Sequence, residues 1–196
     1  MRQVAFIIRQ SNNPKKAVLL DAQLGIIEAF FASTNGWQVG ACISYVADYK
    51  PHLYFIKAFQ LEDLPLAIAA QDILFLHHVL ELIYFFVPIG SCSIGLFNLL
   101  EFLYTCATHI LVADRRWKKL FICYVLYTIG MYDERSLRTY QFLRTLTNTP
   151  IDRVDVGFLD LAREREIDQW LLHCVELHPK VGDFKTMHFL TLHRIL

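Results

Sequence analysis

The side chains that could do chemistry begin with the histidines, which fall into three close groups: His77 with His78, His173 with His178, and His188 with His193. Adjacent residues project about 100° apart on a helix, and a spacing of five also splays them, so no group makes the i, i+4 pair that zinc favours. They read as helix-surface or interface histidines. Cys174 stands beside His173, a thiol next to a possible base, but helical neighbours point apart and no oxyanion-type loop accompanies them. There is no Gly-rich phosphate loop, no G-x-S-x-G elbow and no carboxylate cluster at metal spacing. The sequence therefore predicts no catalytic residue, no metal and no cofactor, and a chain that is not an enzyme.

Two basic groups suit binding instead. Arg9, Lys15, Lys16, Lys50 and Lys57 are interleaved with Trp37, Tyr54 and Phe55. Cations for phosphates and aromatic faces for stacking are what a single-stranded nucleic acid requires of a small barrel. The second group is Arg115, Arg116, Lys118 and Lys119, which follow Asp114, a good N-cap, in a helix predicted to run to Gly130. The helix dipole disfavours cations at that end, so they form either a solvated face or a docking site for an anionic partner.

The elements that must position the first group read as five strands: "RQVAFIIRQ", "KKAVLLDA", "GIIEAFFAS", "WQVGACISYVAD" and "HLYFIKAFQL". They are rich in Val, Ile, Phe and Tyr and separated by "SNNP", the Gln23 to Gly25 turn, "TNG" and "YKP". That spacing predicts a small antiparallel barrel, although alternation is partial, with Val4, Phe6 and Ile8 set against Gln3, Ala5 and Ile7.

After "EDLP" the period changes. Leu66, Ala69, Ile73, Leu76, Leu80, Ile83 and Val87 recur at steps of three and four, the apolar stripe of a helix, with Gln71, Asp72, His77, His78 and Glu81 off it. Pro65 suits the first turn. Leu82 to Leu100 has no charged side chain and is long enough on paper to cross a bilayer. Pro88, Gly90, Ser91 and Ser93 break that run into a helix, a turn and a second helix, on which Asn98, Glu101, Thr105 and His109 trace a polar stripe unsuited to lipid. A small membrane protein using 66–113 and 120–129 is the alternative. Further amphipathic helices are predicted in "SLRTYQFLRTLTNTPIDRV" and "FLDLAREREIDQWLLHCVELH", ending before "PKVGDF".

Composition adds limits. The 196 residues are enough for a sizeable core and carry 19 Lys+Arg against 19 Asp+Glu, so no charge excess points to nucleic acid, while 55% hydrophobic content leaves open an unusually apolar interior or lipid contact. The apolar run before Arg9 is too short for a secretory signal, so the chain is expected to remain inside the cell. Five cysteines, none in a C-x-x-C pair, read as reduced core thiols.

The order of these elements resembles the bacterial recombination mediator family RecO. The matching pieces are "VAFIIRQ", "AVLLDAQLGIIEAFFAS" and "HLYFIKAFQLED", then "VLELIYFFVPIGSCSIGLFNLLEFL", which is similar to that family's Leu-rich helix, Pro turn and following helix. "KKLFICYVLYTIGMY" and the closing "FKTMHFL" also resemble family patterns. The resemblance implies an α+β chain, an N-terminal five-stranded antiparallel OB-fold barrel over 1–62 followed by an α-helical domain over 63–196. It implies DNA repair and recombination in the RecF pathway: binding of single-stranded DNA, of RecR and of the single-strand-binding protein's C-terminal tail, with RecA loaded indirectly, in the cytoplasm at the nucleoid and away from membrane. Arg9, Lys15, Lys16, Lys50 and Lys57 would then meet phosphates, and Arg115, Arg116, Lys118 and Lys119 the acidic tail. The chain departs from the family in two places. Only "STNGW" stands where many members have a basic loop, and no four-cysteine zinc module follows Tyr132. Zinc is expected to be absent and DNA binding weaker, or lost in favour of a partner-docking scaffold.

Overall fold

Alternate residues of the N-terminal strands are apolar and fill one interior. Ala5 and Ile7 of β1 (Gln3–Gln10), Ala17 and Leu19 of β2 (Lys16–Asp21) and Ile27, Ala29 and Phe31 of β3 (Gly25–Phe31) form a single cluster. Ile43 and Tyr45 of β4 (Cys42–Lys50) and Ile56 of β5 (Leu53–Asp63) complete it. In this computed structural model, which describes residues 2–33, 35–50, 53–106, 114–131 and 161–184, the five strands close into a barrel in the order β1-β2-β3-β5-β4. β3 and β5 pair in parallel and all other neighbours are antiparallel. The wholly antiparallel barrel expected from sequence is thus corrected at one seam. Directions cannot alternate all the way round a ring with an odd number of strands.

The partial alternation also has a structural cause. Phe6, Ile8, Val18, Leu20 and Ile26 point away from the interior cluster yet are buried. Helix α1 (Leu66–Phe86) packs on β1, and helix α2 (Ile94–Cys106) sets Phe97 and Tyr104 against Phe6 with ring centroids 5.0 Å apart in each case. A strand covered on both faces needs apolar residues at consecutive positions.

α1 departs from the stripe read off the sequence. Asp72 is extended (φ −161°, ψ 91°) and its Oδ1 accepts the Phe75 N–H at 3.0 Å, the geometry of an N-cap, so the element is two helical pieces meeting at Asp72. The phase is reset there. Leu66 and Ile73 are exposed, whereas Phe75, His78, Val79 and Leu82 are buried beside the expected Leu76, Leu80 and Ile83. Among the described residues α1 alone is long and apolar enough to cross a membrane, with a mean hydropathy of 1.6 over its most apolar window.

The uncharged run divides as expected. α1 stops at Phe86, and Ser93 starts α2 with its Oγ accepting the Leu96 N–H at 3.4 Å. The loop between them docks on the start of β3, where Ile26 N–H donates to the Ser91 carbonyl (3.1 Å) and Gly90 N–H to the Ile26 carbonyl (2.7 Å). Gly25 makes this approach possible: its φ is +74°, and a Cβ there would collide with the Ser91 carbonyl.

The chain divides into two compact units, Met1–Ile110 and Leu111–Leu196; the first holds the barrel with α1 and α2. In the second, α3 (Arg115–Thr128) packs against α4 (Leu161–Glu176), which is followed by a 3-10 turn at Val181–Asp183. Asp114 caps α3, its Oδ1 accepting N–H groups of Arg116 (2.7 Å) and Trp117 (3.3 Å), and Gly130 closes it at φ +88°. The helix expected in 136–154, the segment from Lys185 onward with His188 and His193, and His109 lie outside the described residues.

Candidate nucleic-acid interface

The outward positions of four strands form one surface at the end of the barrel where β2 begins and β4 ends. Register places Lys16 beside Phe30, Phe30 beside Phe55, and Phe55 beside Asp48, a row that crosses β2, β3, β5 and β4. Glu28 lies two residues from Phe30, Lys57 two from Phe55 and Lys50 two from Asp48, so all face the same side. The contacts agree with the register. Phe30 and Phe55 rings lie 5.7 Å apart, and the Lys50 ammonium sits 4.6 Å from the Phe55 centroid. Tyr49 and Tyr54, opposite one another at the ends of β4 and β5, hold their rings 5.0 Å apart and tilted on the other side of these strands, where Tyr54 packs on the barrel interior and Tyr49 is largely exposed.

Two of these lysines are ion-paired. Lys16 Nζ lies 2.6 Å from Glu28 Oε2, and Lys57 Nζ lies 2.8 Å from Asp48 Oδ1. Lys57 follows the inward-facing Ile56 and sits at the bulge where β5 inserts a residue opposite Val46 and Ala47. Lys15 is exposed in the β1–β2 turn, its amide bound to Asn13 Oδ1 at 3.0 Å and its carbonyl accepting Phe31 N–H at 2.7 Å. The structure thus gathers Lys15, Lys16, Lys50 and Lys57 at one end of the barrel.

Arg9 is placed differently. Its guanidinium lies over the rings of Tyr84 (4.2 Å) and Phe85 (5.5 Å) of α1, a cation–π arrangement that fastens helix to barrel. Trp37 also leaves the basic group, stacking on the interior Phe31 at 4.7 Å. Phe30, which sequence reasoning did not single out, joins the surface. The signal for Phe30 was the period of two in "GIIEAFF", where Ile27, Ala29 and Phe31 point inward and Glu28 and Phe30 must point out.

The second basic group lies in the second unit, against α4. Arg116 Nε donates to Glu164 Oε1 (2.5 Å), Lys119 Nζ reaches Glu164 Oε2 (3.3 Å) and Asp168 (2.9 Å), and Arg115 approaches Asp168 at 3.7 Å. Burial by itself would raise the Glu164 carboxyl, but the bonds and charges of Arg116 and Lys119 outweigh it and hold the group below its usual range. Lys118 and Lys119 are themselves buried. The helix tolerates cations in its first turns because α4 supplies acids opposite them.

Two expectations about reactive side chains need correcting. His78 is completely buried rather than on the helix surface; burial pushes its imidazole down to about 4, against a weak opposing pull from Glu81. Cys92 is exposed, unlike the buried Cys42, Cys123 and Cys174. Burial, helped by Asp63, Glu62 and Glu101, drives the Cys42 thiol up to about 12, which leaves it protonated and inert. Exposed His173 and buried Cys174 do point apart. Among the described residues no three His, Cys, Asp or Glu side chains are gathered so as to hold a metal ion.

Neither protein-family models nor curated protein sequences give a match to this chain.

Proposed function

We propose that this protein binds single-stranded DNA through the barrel surface bearing Phe30, Phe55, Lys15, Lys16, Lys50 and Lys57, and works as a non-catalytic recombination mediator of the RecO type. The observation that carries the reading is the row of cations and half-buried aromatic rings on one barrel face, the combination that neutralises phosphates and stacks bases. The strand order supports it, since a closed five-stranded barrel in the order β1-β2-β3-β5-β4 fits an OB-type barrel, a fold that binds oligonucleotides with its β2–β3 face and the loops after β1 and β4. Lys15 stands in the first of those loops and Lys50 at the edge of the second.

Binding free energy would be the mechanism. Neutralised strands approach one another, while contacts with RecR and the single-strand-binding protein's tail remodel that protein and so assist RecA loading. Arg115, Arg116, Lys118 and Lys119 are the proposed contacts for the acidic tail, which would compete with Glu164 and Asp168. Such a protein works in the cytoplasm, at the nucleoid.

A second reading, a scaffold that docks partners without holding DNA, is favoured by one observation: carboxylates already occupy Lys16 and Lys57. Titrating a labelled oligothymidylate of about 16 nucleotides at several salt concentrations separates the two. Binding that weakens with salt and is lost in Lys16→Ala/Lys50→Ala supports the mediator. No binding at low salt leaves the scaffold.

A further inference from the structure

The two lysine–carboxylate pairs are not equivalent to ordinary surface ion pairs, because both lie on the face that carries the aromatic row. Side-chain exposure is 33% for Lys16 and 29% for Glu28, so their 2.6 Å contact is only partly screened by water. Lys57 and Asp48 are more open, at 59% and 54%. Each acid projects from the same outer face as its lysine: Glu28 neighbours Phe30, and Asp48 is the register partner of Phe55. A phosphate that reaches Lys16 or Lys57 must displace a carboxylate already there.

Resting on the reading of this face as a single-strand site, we propose that Glu28 and Asp48 are an internal mask that competes with nucleic-acid phosphates for Lys16 and Lys57. In the free protein Lys15 and Lys50 make the first contacts with the strand. Lys16 and Lys57 then exchange carboxylate for phosphate. The exchange has a definite ionic balance. A lysine that neutralises a phosphate releases a condensed cation from the strand, whereas a lysine that stays on its carboxylate releases none. Masked lysines therefore add less than their full share to affinity and to the salt dependence. Glu28 is the stronger mask of the two because its pair is shorter and less hydrated.

The test uses the full chain and the same labelled oligothymidylate, titrated over a range of salt concentrations with Glu28→Gln, Asp48→Asn, the double variant, and Glu62→Gln as a control at the other end of β5. Unchanged circular dichroism establishes that each variant is folded. Glu28→Gln is expected to tighten binding several-fold and to steepen the slope of log K against log salt by about 0.7, the share of one phosphate on a single strand. Asp48→Asn should do the same more weakly, and Glu62→Gln should match the parent. Binding by the double variant alone also supports the mask. Parent binding left unchanged in strength and slope by Glu28→Gln overturns the mask and spares the single-strand site. Equal tightening by Glu62→Gln overturns it too, because net charge alone would then be responsible. Absence of binding in the parent and in every variant overturns both.

Discussion

Acidification should weaken the barrel unit through one side chain, His78. In the unfolded chain its imidazole takes up a proton near 6.5, but in the folded protein only near 4, because burial penalises the charged form. As pH falls below about 6.5 the unfolded state binds more protons than the folded one, so stability drops, and the loss is complete once pH is below about 4. The gap of roughly 2.5 pH units, at about 1.4 kcal/mol each, amounts to about 3 kcal/mol, of which about 2 kcal/mol is already lost at pH 5. At neutral pH His78 contributes no such penalty. The assay is urea unfolding at pH 7 and pH 5, followed by Trp37 fluorescence in a chain with Trp117→Phe and Trp170→Phe, with and without His78→Leu. Carboxylates of the unit contribute equally to both proteins, so the difference between their pH responses isolates His78. The His78→Leu protein should lose about 2 kcal/mol less between the two pH values. Parallel responses, or an imidazole NMR resonance that titrates near 6.5 in the folded protein, would refute the reasoning.

Three further substitutions probe the packing that holds the site. Gly25→Ala combines a left-handed backbone with a Cβ driven into the Ser91 carbonyl, so it should cost at least about 2 kcal/mol and detach the α1–α2 loop, measured as lost hydrogen-exchange protection at Ile26 and Gly90. Tyr104→Phe removes the hydroxyl that donates to the buried Gly40 carbonyl and should destabilise the first unit by about 1–2 kcal/mol in urea unfolding. In the second unit, Lys119→Met leaves Glu164 and Asp168 facing each other with less positive charge, and should cost about 3 kcal/mol at pH 7 by the Trp117 and Trp170 signal. Glu164 holds its proton less readily when folded, so its stabilisation is present above about 4.5 and is lost as pH falls through its lower folded value; the Lys119→Met penalty should shrink over the same range.

Short-range signals made the element inventory legible in the sequence. β-branched and aromatic runs between turn residues located all five strands, Asp114 and Gly130 bounded α3, and Pro88 with its Gly and Ser neighbours divided the uncharged segment. These features act through backbone dihedrals and hydrogen bonds within a few residues, so neighbouring residues suffice to specify them. Period-two alternation even contained the outward position of Phe30.

Tertiary structure decided the rest, because the deciding partners are remote in sequence. Asp72 ended one helical phase and began another, which put His78 inside and left Ile73 outside; a continuous 3.6-residue period could not show that break. Arg9, placed among the phosphate contacts by composition, lies on aromatic rings of α1 some 75 residues away. Arg116 meets Glu164 across 48 residues, and Lys16 meets Glu28 only because β2 and β3 pair in that register. Charge type is a property of the residue, but whether a cation is available to a ligand depends on which acid or ring the fold sets beside it.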